Sequence, residues 1–243
     1  MCGRKGGALM IAGLQKMTLL DFPGKVACTL FLQGCNFRCP FCHNSELLPR
    51  QGEPLMERSA FLDFLKKRRG LLDGVCVSGG EPTLCPELED LLQGIKALGF
   101  SVKLDTNGSR PDILKKLAAQ GLVDYVAMDV KNSPSRYAEA LGFDRYDLSA
   151  VEESLRFLLE GNLDYELRTT VVSQLHDRAS MEEMGRWLCS LLPPQKPRAL
   201  FLQYFTDRDT VLFSGLTPPT REEMEKYASS LQPYVEKVAI RGE

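Results

Sequence analysis

Several features are missing from this chain, and each absence removes a class of function. There is no basic excess: 30 Lys and Arg stand against 32 Asp and Glu, a formal net charge of -2, so total charge gives no argument for binding nucleic acid or an anionic membrane. No apolar run approaches the roughly 20 residues needed to span a bilayer. The basic, small-residue start Met1-Cys2-Gly3-Arg4-Lys5 leads into no apolar stretch of signal-peptide length. Eight cysteines in 243 residues fall below the density of a disulfide scaffold. No low-complexity segment or linker divides the chain. Together these absences point to the cytoplasm, with neither nucleic acid nor membrane as a partner.

What is present is an ordinary globular balance, 44% hydrophobic and 26% charged, able to bury a full core. Residues 1–9 read as a flexible N-terminal extension, with Met10 as a sensible natural start, and residues 10–243 as a single domain. A hairpin is expected through Asp21-Phe22-Pro23-Gly24, and a regular strand–helix alternation follows. Strands are expected at 26–32, 74–78, 101–105, 124–130, 165–172 and 198–204, with a short last one at 235–240. Helices are expected at 57–69, 86–98, 111–120, 149–160, 181–191 and 221–231. The basic run Lys66-Lys67-Arg68-Arg69 before Gly70 reads as a helix end, where cations complement the dipole and glycine caps. About six strand–helix units of crossover length make an α/β domain, either a barrel or a doubly wound sheet.

The unusual residues fall at strand ends. Cys35, Cys39 and Cys42 follow the first strand of the alternation, Ser78-Gly79-Gly80-Glu81-Pro82 the second and Asp105-Thr106-Asn107-Gly108 the third. Asp129-Val130-Lys131 closes the fourth strand, and Arg168 lies within the fifth. The C-terminal ends of parallel strands share one face, where α/β proteins place ligands.

The cysteines of Gly34-Cys35-Asn36-Phe37-Arg38-Cys39-Pro40-Phe41-Cys42-His43-Asn44 are spaced C-x3-C-x2-C. Three close thiolates suit a cubane cluster, holding three of its irons and leaving the fourth open to a small molecule. Phe37 and Phe41 would give the loop an apolar shell. A Cys3His zinc site using His43 is disfavoured, because His43 directly follows Cys42 and adjacent residues rarely converge on one tetrahedral ion. Buried, inert thiols fit poorly with the Asn, Arg and Pro of the loop.

Cys35, Cys39 and Cys42, with Phe41 before the last, resemble the signature of the radical S-adenosylmethionine (SAM) superfamily. The longer segment from Gly13-Leu14-Gln15-Lys16 through Asp21-Phe22-Pro23-Gly24-Lys25 to Asn44 resembles activating enzymes of anaerobic ribonucleoside-triphosphate reductase. It is more distantly similar to pyruvate formate-lyase activating enzymes. The likeness runs from about Met10 to Val172.

The resemblance implies a partial (β/α)6 barrel of the radical SAM type, one [4Fe-4S] cluster on Cys35, Cys39 and Cys42, and SAM cleaved by a one-electron donor, a flavodoxin or ferredoxin. It implies that the resulting deoxyadenosyl radical takes a hydrogen atom from a glycine of a partner glycyl radical enzyme. It further implies that Gly79, Gly80 and Glu81 meet the methionine amino group and that Phe41 lies beside the cofactor. Asp105, Thr106 and Asp129 become candidates for a monovalent cation next to SAM, while Lys131 and Arg168 face the cofactor or the substrate loop. Arg168 reads equally well as a strand-end ion pair. Gln203-Tyr204-Phe205 stands where pyruvate formate-lyase activators carry a histidine, which weighs against that assignment. A radical enzyme for a small molecule and a non-catalytic cluster or zinc module are the rival readings. Cys76 and Trp187 are expected in the core, Cys85 in core or helix-start packing, and His176 at the surface.

Overall fold

The computed structural model describes residues 9–242. The expected extension at 1–9 lies outside them except for Leu9, which is buried. The elements are β1 (Ile11–Thr18), β2 (Ala27–Leu32), α1 (Arg58–Lys66), β3 (Gly74–Gly79), α2 (Leu88–Ala97), β4 (Ser101–Thr106), α3 (Pro111–Ala119), β5 (Tyr125–Asp129), α4 (Tyr137–Leu141), α5 (Ser149–Glu160), β6 (Asp164–Val171), α6 (Arg178–Ser190), β7 (Leu200–Tyr204), α7 (Arg221–Leu231) and β8 (Val238–Arg241). They form two compact units, each assembled from several chain segments.

The first unit comprises residues up to 36, 47–106 and 112–126. Its strands neighbour in sequence order, β1-β2-β3-β4. β1 pairs antiparallel with β2, and the β2–β3 and β3–β4 pairs are parallel. The hairpin turn expected at 21–24 is set by Thr18, whose hydroxyl accepts the backbone N–H groups of Leu20 (3.2 Å) and Asp21 (3.3 Å). Parallel strands covered on both faces lack polar alternation. Accordingly β2 and β3 are buried nearly throughout, with Leu30, Val75 and Val77 fully inside, as are Val102 and Leu104 of β4. Helix α2 packs on β4 and buries Leu88, Leu91, Leu92 and Ile95, the 3.6-residue spacing of one helical stripe.

The second unit comprises residues 37–46, 107–111 and 127 onward. Here β6, β7 and β8 pair in parallel, with Leu167 opposite Leu200 and Leu202 opposite Ile240. Capping chemistry sets the helix starts. Asp177 and Ser180 cap each other reciprocally at α6, as do Thr220 and Glu223 at α7. Helix α6 therefore begins at Arg178, three residues before the sequence reading placed it. The five-residue α4 was not anticipated; it ends in left-handed Gly142, and five residues carry too little periodicity to read. Trp187 is buried as expected, and its indole N–H donates to Glu152 at 2.9 Å.

Gly185 lets α6 approach the chain after α7. A Cβ there would come within 2.5 Å of Tyr234 Cδ2 and 3.2 Å of Leu231 Cδ2. Gly185→Ala gains about 1 kcal/mol of helix propensity but overpacks this contact at a cost of about 1–3 kcal/mol. We expect a lower urea midpoint with an unchanged slope. A raised midpoint would show that the Tyr234 ring moves aside freely.

Candidate cofactor site

In the first unit the ends of β2 and β3 are pressed together. Gly79 has φ +121°, and a Cβ on it would stand 2.3 Å from Leu32 O. A Cβ on Gly80 would stand 2.3 Å from Gly34 O and 3.3 Å from Cys35 Cβ. The Gly80 N–H donates to Leu32 O (2.9 Å) and the Glu81 N–H to Gly34 O (2.7 Å), while the Cys35 N–H donates to Leu48 O (3.2 Å). Only glycine tolerates both the dihedral and the closeness. The Gly79-Gly80-Glu81 turn and the first cysteine are thus neighbours, brought together from 44 residues apart in the chain (79 − 35).

Glu81 is buried, and its Oε1 accepts the Thr83 N–H (3.1 Å), the Thr83 hydroxyl and the Thr106 hydroxyl (2.8 Å). These donors satisfy a carboxylate that would be costly to bury alone. Asp105 is held by Ser78 Oγ on Oδ2 (3.0 Å) and by the Lys103 ammonium on Oδ1. Lys103 is 1% exposed and formed no part of the sequence reading. The available signal was a charged residue two positions before Asp105, and so on the same face of an otherwise apolar strand. Cys76 is in the core as expected. Cys85 is buried beside the short helix 82–84, and burial pushes its thiol up to about 11.

In the second unit the loop carries Cys39 and Cys42, with the Cys42 N–H donating to Cys39 O at 3.0 Å. Phe37 and Phe41 are buried, as is Cys39, while Cys42 is half-buried. Phe37 meets Tyr146 and Phe143 edge-on, with centroids 5.3 and 6.4 Å away. The apolar shell is therefore largely aromatic. Burial pushes the Cys42 thiol up, and Lys131 and Arg38 oppose this. The His43 ring stacks on Phe205 at 5.5 Å, so Phe205 supports the loop.

Asp129, last in β5, takes Lys131 Nζ on Oδ2 and Arg168 Nε on Oδ1, both at 2.9 Å. Arg168 thus makes the strand-end ion pair. Burial alone would raise the Asp129 carboxyl, but Arg168 and Lys131 outweigh it and hold the group down at about 2. Burial would lower the Lys131 ammonium; Asp129 and then Cys39 overcome this and hold it above its ordinary value. Two cations therefore converge on one carboxylate beside the cysteine loop.

His176 corrects an expectation. It is 1% exposed rather than at the surface. Its Nδ1 accepts the Val172 N–H (3.1 Å), and its Nε2 meets the Lys131 carbonyl oxygen at 2.9 Å. The turn entering α6 folds the ring inward to satisfy these backbone groups, and in doing so braces Lys131.

Cys35, Cys39 and Cys42 are free of disulfides. As a donor set, three free thiols within eight residues of chain suit an iron–sulfur cluster. The Radical SAM superfamily model matches residues 29–188, and the chain belongs to that family. A Methanocaldococcus jannaschii protein provisionally named a glycyl-radical enzyme activating enzyme is 29% identical over 96% of this chain and 95% of its own. A Thermococcus kodakarensis protein provisionally named a GTP 3′,8-cyclase is 30% identical over 81% of this chain and 64% of its own. Among solved structures, a domain of pyruvate-formate lyase-activating enzyme from Bacteroides vulgatus superposes with a TM-score of 0.56 at 21% identity, covering 70% of this chain and 99% of that one. The fold is thus that of radical SAM enzymes, as the sequence led us to expect.

The buried charges predict two acid steps in stability. Burial lowers the His176 pKa below its ordinary 6.5, so its contribution is complete above pH 6.5 and declines as pH falls below it. Asp129 is depressed from 3.8 to about 2. It contributes about 2 kcal/mol above pH 3.8, which is lost as pH falls through 2. Urea unfolding of the cluster-free chain across pH should show both steps, and His176→Gln should flatten the first alone. A first step that survives in His176→Gln would contradict the assignment.

Proposed function

We propose that this chain is a cytoplasmic radical SAM activase that installs a glycyl radical on a partner enzyme, an anaerobic ribonucleotide reductase. The observation carrying this reading is the end-to-end match to the M. jannaschii activating enzyme, over 96% and 95% of the two chains. The cyclase relative is matched over less than two thirds of its length, which leaves the small-molecule reading second. The resemblance of residues 13–44 to reductase activators supports the choice of partner, and a reduced flavodoxin or ferredoxin is the donor.

In this reading the thiolates of Cys35, Cys39 and Cys42 would hold one [4Fe-4S] cluster, with one iron left open to SAM. When bound, cluster and SAM together supply one-electron cleavage of the sulfonium and a radical able to remove a glycine hydrogen atom. The rest falls to the chain. Gly79 and Gly80 offer backbone to the N–H groups of the methionine amine, and Glu81, fixed by Thr83 and Thr106, adds negative charge there. Lys131 and Arg168, both held by Asp129, receive the carboxylate or ribose oxygens. Phe37 and Phe41 keep water from the loop.

The test is anaerobic reconstitution with iron and sulfide, reduction, and measurement of 5′-deoxyadenosine with and without an anaerobic ribonucleotide reductase. Slow release alone, faster with the partner and accompanied by a glycyl radical signal, is expected. Release indifferent to the partner would transfer the chain to the small-molecule class. No release from cluster-loaded protein would remove the catalytic reading.

A further inference from the structure

The resemblance to pyruvate formate-lyase activating enzymes brings with it a monovalent cation on Asp105, Thr106 and Asp129, and the surroundings of these residues do not fit one. Each carboxylate already has a protein cation on it. Asp105 Oδ1 takes the ammonium of Lys103, and Oδ2 takes the Ser78 hydroxyl at 3.0 Å. Thr106 gives its hydroxyl to Glu81 at 2.8 Å. Asp129, in the other unit, has Lys131 and Arg168 on its two oxygens. A further cation at either carboxylate would face an ammonium or guanidinium within the same coordination distance, and like charges so close repel strongly out of water.

Lys103 is the residue that makes the difference. It lies in the interior of β4, 1% exposed, with its backbone opposite Cys76 of β3 and its Nζ 3.8 Å from the Cys76 sulfur. Neither that thiol nor the apolar strand neighbours need a charge. A lysine buried this deeply is retained where its charge is matched, and the match here is Asp105, two residues on and on the same strand face. A fixed ammonium on that carboxylate supplies what a bound alkali ion would: one positive charge beside the end of β4, held without drawing on the ion pool.

We infer that the Lys103 ammonium takes the place of the monovalent cation in this chain, so that SAM binds without one. The inference rests on the proposed reading that Asp105 lies beside SAM. Lys103 acts through Asp105 and is a positioning residue.

The experiment uses the cluster-loaded protein in buffers whose only monovalent cation is tetramethylammonium or K+, and reads SAM affinity by equilibrium dialysis. Wild type should bind SAM equally in both. Lys103→Ala should bind about tenfold more weakly in tetramethylammonium and recover in K+, while Lys103→Arg, which keeps the charge, should stay indifferent to K+. The melting temperature of the cluster-free protein supplies a readout that needs no SAM: K+ should raise it in Lys103→Ala and not in wild type. A wild type that needs K+ for SAM binding, or that K+ stabilises, overturns the inference. So does a Lys103→Ala protein that binds SAM like wild type without K+. Wild type that binds no SAM in either buffer counts against the functional reading instead, and the melting series still decides the role of Lys103.

Discussion

The contact on which the candidate site depends is backbone against backbone. Where β2 and β3 end, Gly79 and Gly80 lie so close to Leu32 and Gly34 that a single methyl would collide with main-chain oxygen at 2.3 Å. Side chains can rotate away from a clash, but a peptide carbonyl held in a parallel sheet cannot, and interiors pack too densely to absorb the shift. This contact places Cys35 beside the Gly-Gly-Glu turn. It also sends Glu81 inward to be tied by Thr83 and Thr106. The glycines therefore shape the site before any ligand is considered.

In each unit charge is arranged in matched sets. Asp105 is answered by Lys103, and Asp129 by Lys131 and Arg168. Each set stands at a strand end, where desolvation makes an unanswered charge expensive. The ammonium of Lys103 holds Asp105 in place, and Lys131 and Arg168 together hold Asp129. His176 adds a neutral brace, its ring joining the Val172 and Lys131 backbones.

Much of this was legible in the sequence because it rests on local chemistry. Thr220 with Glu223, and Pro111 at the start of α3, mark helix ends in the residues themselves, and α5 and α7 have the expected limits. The run at 74–78 reads as a strand because a parallel strand buried on both faces is mostly apolar, and Val102 and Leu104 mark the run at 101–105. The three cysteines and the Gly-Gly-Glu turn were legible as motifs. Three-dimensional pairing was not. His176 follows a polar turn and reads as exposed, because nothing in its neighbours reveals the Lys131 carbonyl 45 residues away that accepts its ring. Lys103 passed unremarked for a similar reason: a lysine in a strand becomes informative only when its burial and its partner are known.

The central claim is that the thiols of Cys35, Cys39 and Cys42 hold one iron–sulfur cluster with an iron left open to SAM. Electron paramagnetic resonance of the reduced, reconstituted protein tests it most directly, recorded before and after SAM is added. The expected result is the signal of a single reduced [4Fe-4S] cluster that changes shape when SAM binds and is lost in Cys42→Ala. A cluster signal indifferent to SAM, or one that survives intact in Cys42→Ala, would contradict it.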